Sequence, residues 1–145
     1  FHSIHHSPEH MDWISGFRVH PMDFALIGPG FFFLIFAGFS PETSGILAVL
    51  QIITGLFLHA NVGWKLRPLH RLIPTPEFHH WHHAKDAEYC DANYAVHLPV
   101  IDMIFGTYRC PKGKWPEEYG VVSGEPPPSF WKQLMHPFRR SRSRE

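Results

Sequence analysis

Two short stretches of the sequence repeat one histidine pattern. The chain has 13 histidines among 145 residues, and the stretches "FHSIHH" at 1–6 and "FHHWHH" at 78–83 hold seven of them. Each stretch contains H-x-x-H-H. On a helix, residues three and four apart lie side by side, so the pattern predicts that each copy directs three imidazoles to one point. Converging neutral imidazoles are a typical metal-binding arrangement.

The second copy contains one more histidine than the pattern needs. His80 also lies three residues before His83, but the spacing shared with the first copy selects His79 and places His80 on the neighbouring face. Packing alone explains two identical triads poorly, because three clustered imidazoles are costly to bury without a partner. We therefore predict six metal ligands: His2, His5, His6, His79, His82 and His83.

A seventh candidate ligand is His59, which ends a long apolar run in "LHANVGW". A histidine at the end of an apolar helix is either a functional group or an interfacial residue, and we favour a ligand. The other histidines are interpreted as surface residues (His10, His70 and His136), as an interfacial or ligand-supporting residue (His20), or are left open (His97).

The number of imidazoles predicts two metals, because six or seven exceed what one tetrahedral zinc needs. The motifs contain no carboxylate, unlike those of soluble di-iron bundles. H-E-x-x-H, G-x-S-x-G, Walker and dinucleotide-binding motifs are all absent from the sequence. The two cysteines, Cys90 and Cys110, indicate neither a disulfide framework nor a zinc knuckle. A net charge of zero gives no reason to expect a nucleic-acid partner.

Two uncharged runs precede the second motif. Between Asp23 and Glu42 lie 18 residues without charge, and between Glu42 and Lys65 lie 22. A straight membrane span needs roughly 20 mostly apolar residues. The break "SPETS" offers Ser40 as a helix cap and Pro41 as a first-turn residue. The sequence thus predicts a transmembrane or re-entrant helical hairpin turning near Ser40 to Thr43. The alternative is two buried helices of a soluble bundle.

A hairpin returns the chain to the side that it left, which places both histidine motifs at one membrane face. Arg18 precedes the hairpin, and Lys65, Arg67 and Arg71 follow it, so the positive-inside rule makes this face cytoplasmic. After Lys65 we expect a helical, histidine-rich cytosolic cap. Thr75 and Pro76 start one short helix there, and "LPVIDMIF" forms another that ends at Gly106. The predicted fold is an all-α membrane protein.

At this point the sequence resembles the sterol desaturase/fatty acid hydroxylase superfamily of integral membrane di-iron oxygenases. The resemblance rests on "HSIHHS", "FRVHP", "HANVGW", "PTPEFHHWHHA" and "NYAVHLPVIDMIFGTY", in the family's order. His2, His5 and His6 match the central histidine motif, and His79, His82 and His83 match the last one. His59 matches the histidine of an "HxN" segment, and Asn93, Asp102 and Gly106 match the closing "N…D…FGT" segment.

The resemblance implies a chemistry and its partners. It implies two Fe²⁺ ions, O2 as co-substrate, and oxidation of a C–H bond in a membrane lipid during lipid biosynthesis. Electrons would come from a reductase chain through a cytochrome b5-like or ferredoxin-like protein. No catalytic residue is expected beyond the metal ligands, while Asn61, Asn93 and Asp102 are candidates for supporting them.

The resemblance also predicts domain boundaries. Residues 1–138 correspond to the C-terminal part of the family's domain, and 139–145 form a basic tail that we expect to be disordered. The family's earlier H-x-x-x-H motif is absent, so we expect it upstream in a longer protein, without which this chain would be inactive. Spacing alone does not name the metal. A zinc-dependent membrane hydrolase or a non-redox metal-binding membrane protein is therefore the alternative.

Overall fold

The computed structural model describes residues 1–64, 66, 68–122, 124 and 126–138, the side chains of 26–28 and 31 excepted. Lys65 and Arg67, which the sequence places after the second apolar run, lie outside the described residues. The predicted disordered tail at 139–145 also lies outside them.

The regular structure of the described residues is helical, as predicted. A short 3₁₀ helix at Trp13–Phe17 comes first, and a 3₁₀ turn at His136–Phe138 comes last. Between residues 1 and 138, the described β-structure is limited to an isolated bridge of Ala84 with Tyr119. The α-helices are α1 (Pro21–Phe36), α2 (Pro41–His59), α3 (Pro76–His82), α4 (Val100–Phe105) and α5 (Phe130–Met135).

The two apolar runs form α1 and α2, which contact each other. The side chain of Ser40 accepts a hydrogen bond from the Thr43 amide, and Pro41 occupies the first turn of α2, as the sequence predicts. The connection is residues 37–40 and ends where α2 begins. The turn was predicted slightly late, because Thr43 already belongs to the first turn of α2.

Helix α2 is exposed along most of its length. Its mean hydropathy of 1.4 over 18 residues makes it long and apolar enough to cross a membrane, and only 11% of that window is buried. Within the described part of the chain no other helix meets both criteria. Ile46, Val49 and Ile53 expose more than half of their surface. A buried helix of a soluble bundle would hide these side chains, so their exposure argues against that alternative.

The last turns of α2 pack against the 3₁₀ helix and α3. Gly16 of the 3₁₀ helix lies close to α2, since a Cβ atom there would lie 3.1 Å from Leu56 Cδ2 and 3.3 Å from His59 Nδ1. The buried apolar side chains gather at this end of the molecule: Ile4, Met11, Leu58, Phe78, Trp81, Ala84 and Ala92.

The predicted start of α3 and the predicted end of α4 are both present, but α4 begins at Val100, two residues after the start expected from "LPVIDMIF". Thr75 caps α3 by accepting from the Phe78 amide, Pro76 follows it, and α4 stops at Gly106 in the left-handed conformation with φ of 73°. Two buried polar side chains join these helices through the backbone. Asn93 donates to the carbonyl of Phe78 and accepts from the Arg109 amide, while Asp102 accepts from the amides of two residues, Tyr94 and Ala95.

Candidate metal centre

The first H-x-x-H-H motif folds as consecutive hydrogen-bonded turns, and the helix assumed for it is absent. The His6 amide donates to the His2 carbonyl at 3.1 Å, so the chain still makes one helix-like bond at the motif. The three rings consequently remain neighbours, with centroid separations of 4.7 to 5.7 Å. The H-x-x-H-H spacing therefore keeps the three rings together although the motif does not form a regular helix.

Four buried histidines from three parts of the chain meet at one point, and we call them the four-histidine cluster: His5, His59, His79 and His83. One ligand nitrogen from each lies within 4.8 Å of the others. The Nε2 atom of His59 is 3.1 Å from that of His5 and 3.2 Å from that of His79. The Nε2 atoms of His79 and His83 are also 3.2 Å apart.

Backbone carbonyls determine which nitrogen faces the centre of this cluster. His5 Nδ1 lies 3.1 Å from the Arg18 carbonyl, and His59 Nδ1 lies 2.6 Å from the Gly55 carbonyl. A carbonyl oxygen only accepts, so both Nδ1 atoms carry the proton and both Nε2 atoms present a lone pair. Two facing lone pairs cannot form a hydrogen bond. This arrangement is unfavourable by itself and favourable around a cation.

The nitrogen separations fit one shared metal ion. With metal–nitrogen bonds of about 2.1 Å, two ligand nitrogens lie about 3.0 Å apart at a right angle and about 3.4 Å apart in a tetrahedron. The observed 3.1 and 3.2 Å fall inside that interval. An all-imidazole donor set suits the later first-row metals, including iron and zinc. The four-histidine cluster therefore fits a metal ion by both distance and donor chemistry.

A second group, the three-histidine cluster, lies beside the first and consists of His2, His6 and His82, whose ligand nitrogens are within 4.8 Å of one another. His82 Nδ1 donates to the Ala92 carbonyl at 2.7 Å, which leaves its Nε2 free for a metal. His6 stacks on His83 of the first cluster with centroids 4.3 Å apart. All seven predicted ligands thus meet in two adjacent groups.

Burial keeps these imidazoles neutral. Burial first, and then the neighbouring imidazoles, lower the pKa of His5 to about 3 and that of His6 to about 2. The pKa values of His79 and His83 fall well below the ordinary range for the same two reasons. The rings are therefore neutral at neutral pH, and each offers one unprotonated nitrogen, which metal ligation requires.

His80 belongs to neither cluster. Its Nδ1 lies 2.9 Å from the Tyr119 hydroxyl, and its ring meets Trp115 edge-on. Burial lowers the pKa of His80 to about 4. The structure places His80 on the face away from both histidine clusters, where the shared spacing predicts it.

The three residues expected to support the ligands differ in what they contact. Asn93 follows Ala92, whose carbonyl holds His82, and the described hydrogen bonds of Asn93 and Asp102 fix the loop around that carbonyl. Asn61 lines a cavity of about 530 Å³ together with Glu9 and Lys85.

Two of the remaining histidines are buried. His20 caps α1 by accepting from the Met22 amide, and its Nε2 donates to the Leu134 carbonyl. The interpretation of His70 as a surface residue is wrong, since only 3% of it is exposed. It packs beside Cys110, which is distant in sequence and gives no local signal. His10 and His97 are exposed and His136 is half-buried.

The carbonyls that orient the ligands were not predicted from the sequence. Arg18, Gly55 and Ala92 act through their backbone oxygens, and no residue type marks such a role. Gly16 was missed as well, although a glycine is the residue expected where two backbones come close.

Residues 1–107 match the fatty acid hydroxylase family. The chain is similar to alkylglycerol monooxygenase of Homo sapiens, with 30% identity over 74 residues, which cover 51% of the chain and 17% of that protein. It is similar to alkylglycerol monooxygenase of Danio rerio, with 25% identity over 133 residues, which cover 85% of the chain and 26% of that protein. Alkylglycerol monooxygenase of Xenopus tropicalis is 28% identical over 74 residues, which cover 51% of the chain and 17% of that protein.

The chain spans about a quarter or less of the length of these relatives. No solved structure matches it. The family match covers both histidine motifs, His59 and the segment that closes with Gly106. This chain is therefore a member of the fatty acid hydroxylase family, within the sterol desaturase/fatty acid hydroxylase superfamily.

Proposed function

We propose that this chain is the metal-binding part of a di-iron enzyme that uses O2 to oxidise a membrane lipid. One observation carries the proposal: two adjacent imidazole clusters, with the Nε2 atoms of His5 and His59 facing each other 3.1 Å apart in a buried site. Side-chain acids and bases cannot attack an unactivated alkyl C–H bond, and enzymes use a metal or an organic cofactor for such steps.

Each cluster would hold one iron ion. The four-histidine cluster would bind one and the three-histidine cluster the other, and together the two irons would supply O2 activation and accept electrons from a donor protein. The chain itself contributes orientation, because the carbonyls of Arg18, Gly55 and Ala92 fix three of the rings. It also contributes exclusion of water, since five of the seven ligands are buried.

The three-histidine cluster is the more open of the two. His2 is exposed and His6 is half-buried, whereas every member of the other cluster is buried. We place the family's H-x-x-x-H motif, which this sequence lacks, at this open side in the full-length protein. Its two imidazoles would complete the ligand set around His2, His6 and His82.

The exposed apolar helix α2 supports a site at the membrane surface. His59 ends this exposed apolar helix and is also a member of the four-histidine cluster. If α1 and α2 enter the bilayer as a hairpin, the metal site lies at its cytoplasmic surface. A lipid chain would then reach the site from the bilayer, and the soluble electron donor would reach it from the cytosol.

The relatives favour hydroxylation over desaturation. Their names describe monooxygenases of alkylglycerol, and the matched family is named for fatty acid hydroxylation. An alkylglycerol is therefore the first substrate to test, followed by a free fatty acid and a sterol.

The experiment uses the full-length gene expressed in cells and supplied with an alkylglycerol under isotopically labelled O2. We expect mass spectrometry to find labelled oxygen in a lipid product, and His83→Ala to abolish it. The matched control is His97→Ala, which alters an exposed histidine and should leave the product unchanged. A protein that holds zinc, consumes no O2 and hydrolyses a lipid would contradict the proposal and support the zinc hydrolase.

A further inference from the structure

A third group of metal-ligand side chains lies outside both histidine clusters. His70 is buried, and Glu77 and Cys110 are half-buried; one ligand atom of each lies within 4.8 Å of the other two. Cys110 Sγ is 3.6 Å from His70 Nδ1 and 3.9 Å from a carboxylate oxygen of Glu77. We call these residues the mixed cluster. None of them belongs to either H-x-x-H-H motif.

The separations in the mixed cluster fit a tetrahedral zinc ion. With a zinc–sulfur bond of about 2.3 Å and zinc–nitrogen or zinc–oxygen bonds of about 2.1 Å, the sulfur lies about 3.6 Å from each other ligand. The observed 3.6 and 3.9 Å need shifts of only a few tenths of an ångström. The side chains therefore stand close to a binding geometry before any ion is added.

The same distances argue against a thiol nucleophile activated by a histidine and a carboxylate. In such a triad the carboxylate binds the imidazole nitrogen that is remote from the thiol. Here the Glu77 oxygen lies beside the sulfur of Cys110 itself. The three groups converge on one point, which is the arrangement of metal ligands and not of a relay.

The ligand atoms of the mixed cluster, a sulfur, an imidazole nitrogen and a carboxylate oxygen, favour zinc. Thiolate and imidazole together favour zinc, and a carboxylate is its third common ligand type. The thiolate and the carboxylate also carry two negative charges, which balance the charge of Zn²⁺. A cavity of about 480 Å³ borders His70 and Cys110 and is lined by Arg71, Tyr108 and Lys112. This opening gives water access to a fourth coordination position.

We propose that His70, Glu77 and Cys110 bind a Zn²⁺ ion with water as the fourth ligand. The ion joins three segments of the chain. His70 lies in the turn before α3, Glu77 in the first turn of α3, and Cys110 in the irregular segment after α4. Asn93 joins the second and third of these through Phe78 and Arg109. The zinc ion and Asn93 together hold the start of α3, which carries His79 and His82 and is followed directly by His83.

Cobalt substitution tests this site without relying on activity. The full chain, purified in detergent and freed of metal, is titrated with Co²⁺, and the near-ultraviolet charge-transfer band of thiolate-bound cobalt is recorded. The histidine clusters contain no sulfur, so the band reports the mixed cluster alone. We expect the band in the unaltered chain and its loss in Cys110→Ser. Addition of Zn²⁺ should remove the band by displacing cobalt.

Two further variants make the outcome decisive. Cys90→Ser is the matched control, because Cys90 lies outside the mixed cluster with its thiol at the Ala87 carbonyl, and it should keep the full band. Glu77→Gln keeps the thiol and should weaken cobalt binding by at least about tenfold, the lower end of what loss of a ligand's supporting partner costs. No thiolate band in the unaltered chain, or a band that persists in Cys110→Ser, would overturn the proposal.

Discussion

At the scale of single residues, the candidate metal centre depends on three carbonyl oxygens. Those of Arg18, Gly55 and Ala92 each hold the Nδ1–H of one histidine, at 3.1, 2.6 and 2.7 Å. Each bond fixes a tautomer and turns the Nε2 lone pair toward the cluster. The ligands are thus oriented before a metal arrives, which reduces the entropy that binding must remove.

His80 provides a test of which histidines bind metal. His80→Ala should keep the metal content of the chain, because its ring is bonded to Tyr119 and packs on Trp115. It should lower the free energy of unfolding by about 1–3 kcal/mol, since the buried His80 ring is removed and the half-buried Tyr119 loses its hydrogen-bond partner. Metal per chain by mass spectrometry and denaturant unfolding in detergent measure the two effects.

Two other variants serve as comparisons for His80→Ala. Tyr119→Phe removes the same hydrogen bond from the other side and should also keep the metal. His83→Ala should lose metal because His83 belongs to the four-histidine cluster. If His80→Ala lost as much metal as His83→Ala, the ligand register taken from the shared H-x-x-H-H spacing would be wrong.

The clustering of the candidate ligands could be predicted from the sequence because its signal is local. Spacing within six residues brings the members of each triad together, and the apolar run before His59 marks it as the end of a helix. His70 and Cys110 carry no such signal, because 40 residues separate them and only the tertiary fold makes them neighbours. The mixed cluster and the orienting carbonyls are therefore visible only in the structure.

At the scale of elements, the 3₁₀ helix at Trp13–Phe17 must lie very close to α2. Gly16→Ala should reduce the metal affinity of the four-histidine cluster, because the new Cβ would press on Leu56 and on His59 Nδ1, at 3.1 and 3.3 Å. Displacement of the His59 ring would break its bond to the Gly55 carbonyl. Competition with a chromophoric chelator measures the affinity.

Gly55→Ala is the matched control for this interface. A Cβ at Gly55 meets nothing within 4 Å, and alanine favours a helix over glycine by about 1 kcal/mol. Metal affinity should be unchanged and stability equal or higher. Equal losses of affinity in both variants would show that the contact of Gly16 with His59 is not what positions the ring.

The cap of α3 gives a second test at this scale. Thr75→Ala should lower the free energy of unfolding by about 1 kcal/mol, because the Phe78 amide loses the hydroxyl that it donates to. Metal affinity should fall with it, since α3 carries the candidate ligands His79 and His82 and ends at His83. Ser129→Ala is the control, because Ser129 caps α5 without a side-chain hydrogen bond. Chemical unfolding should show no effect for it, and an equal effect in both would contradict the capping role.

Helix boundaries were predictable wherever capping chemistry fixes them. Ser40 with Pro41, Thr75 with Pro76, and Gly106 mark termini that the structure confirms. The first H-x-x-H-H motif was assumed to be helical and is not. Spacing determines which side chains become neighbours, but consecutive turns satisfy it as well as a helix does. The stretch "FHSIHHSP" contains two residues of N-cap type, Ser3 and Ser7, but Ser7 instead donates its hydroxyl to the Ile4 carbonyl.

At the scale of the whole molecule, the core is unusually polar. Among the described residues, 14 buried residues are polar or charged and seven are hydrophobic. Hydrophobic burial drives most folding, so this core gains less from it than an ordinary one does. The facing lone pairs of the four-histidine cluster add a further cost when no cation is present. Metal binding should therefore supply a large part of the stability.

Removal of metal should consequently lower stability. A metal that binds only the folded state, at a free concentration about 1,000 times its Kd, adds about 4 kcal/mol. We expect chelation to lower the thermal unfolding temperature of the detergent-solubilised chain, and re-addition of metal to restore it. A His5→Ala/His79→Ala chain should respond far less. The same response in both chains would place the stabilising metal outside the four-histidine cluster.

The last prediction concerns the exposed surface of α2. Leu50 lies near the middle of α2 and exposes 52% of its surface. If α2 enters the bilayer, Leu50→Lys places a charge in hydrocarbon at a cost of about 2.5–3.5 kcal/mol, and the fraction of the protein that resists alkaline extraction from membranes should fall. The control is Val122→Lys, an exposed residue of the region after α4, which should extract like the unaltered chain. A soluble bundle predicts instead that the unaltered chain is released by alkaline extraction and that neither lysine changes this. Only insertion of α2 makes the two lysines differ, because the charge is costly solely where water is absent.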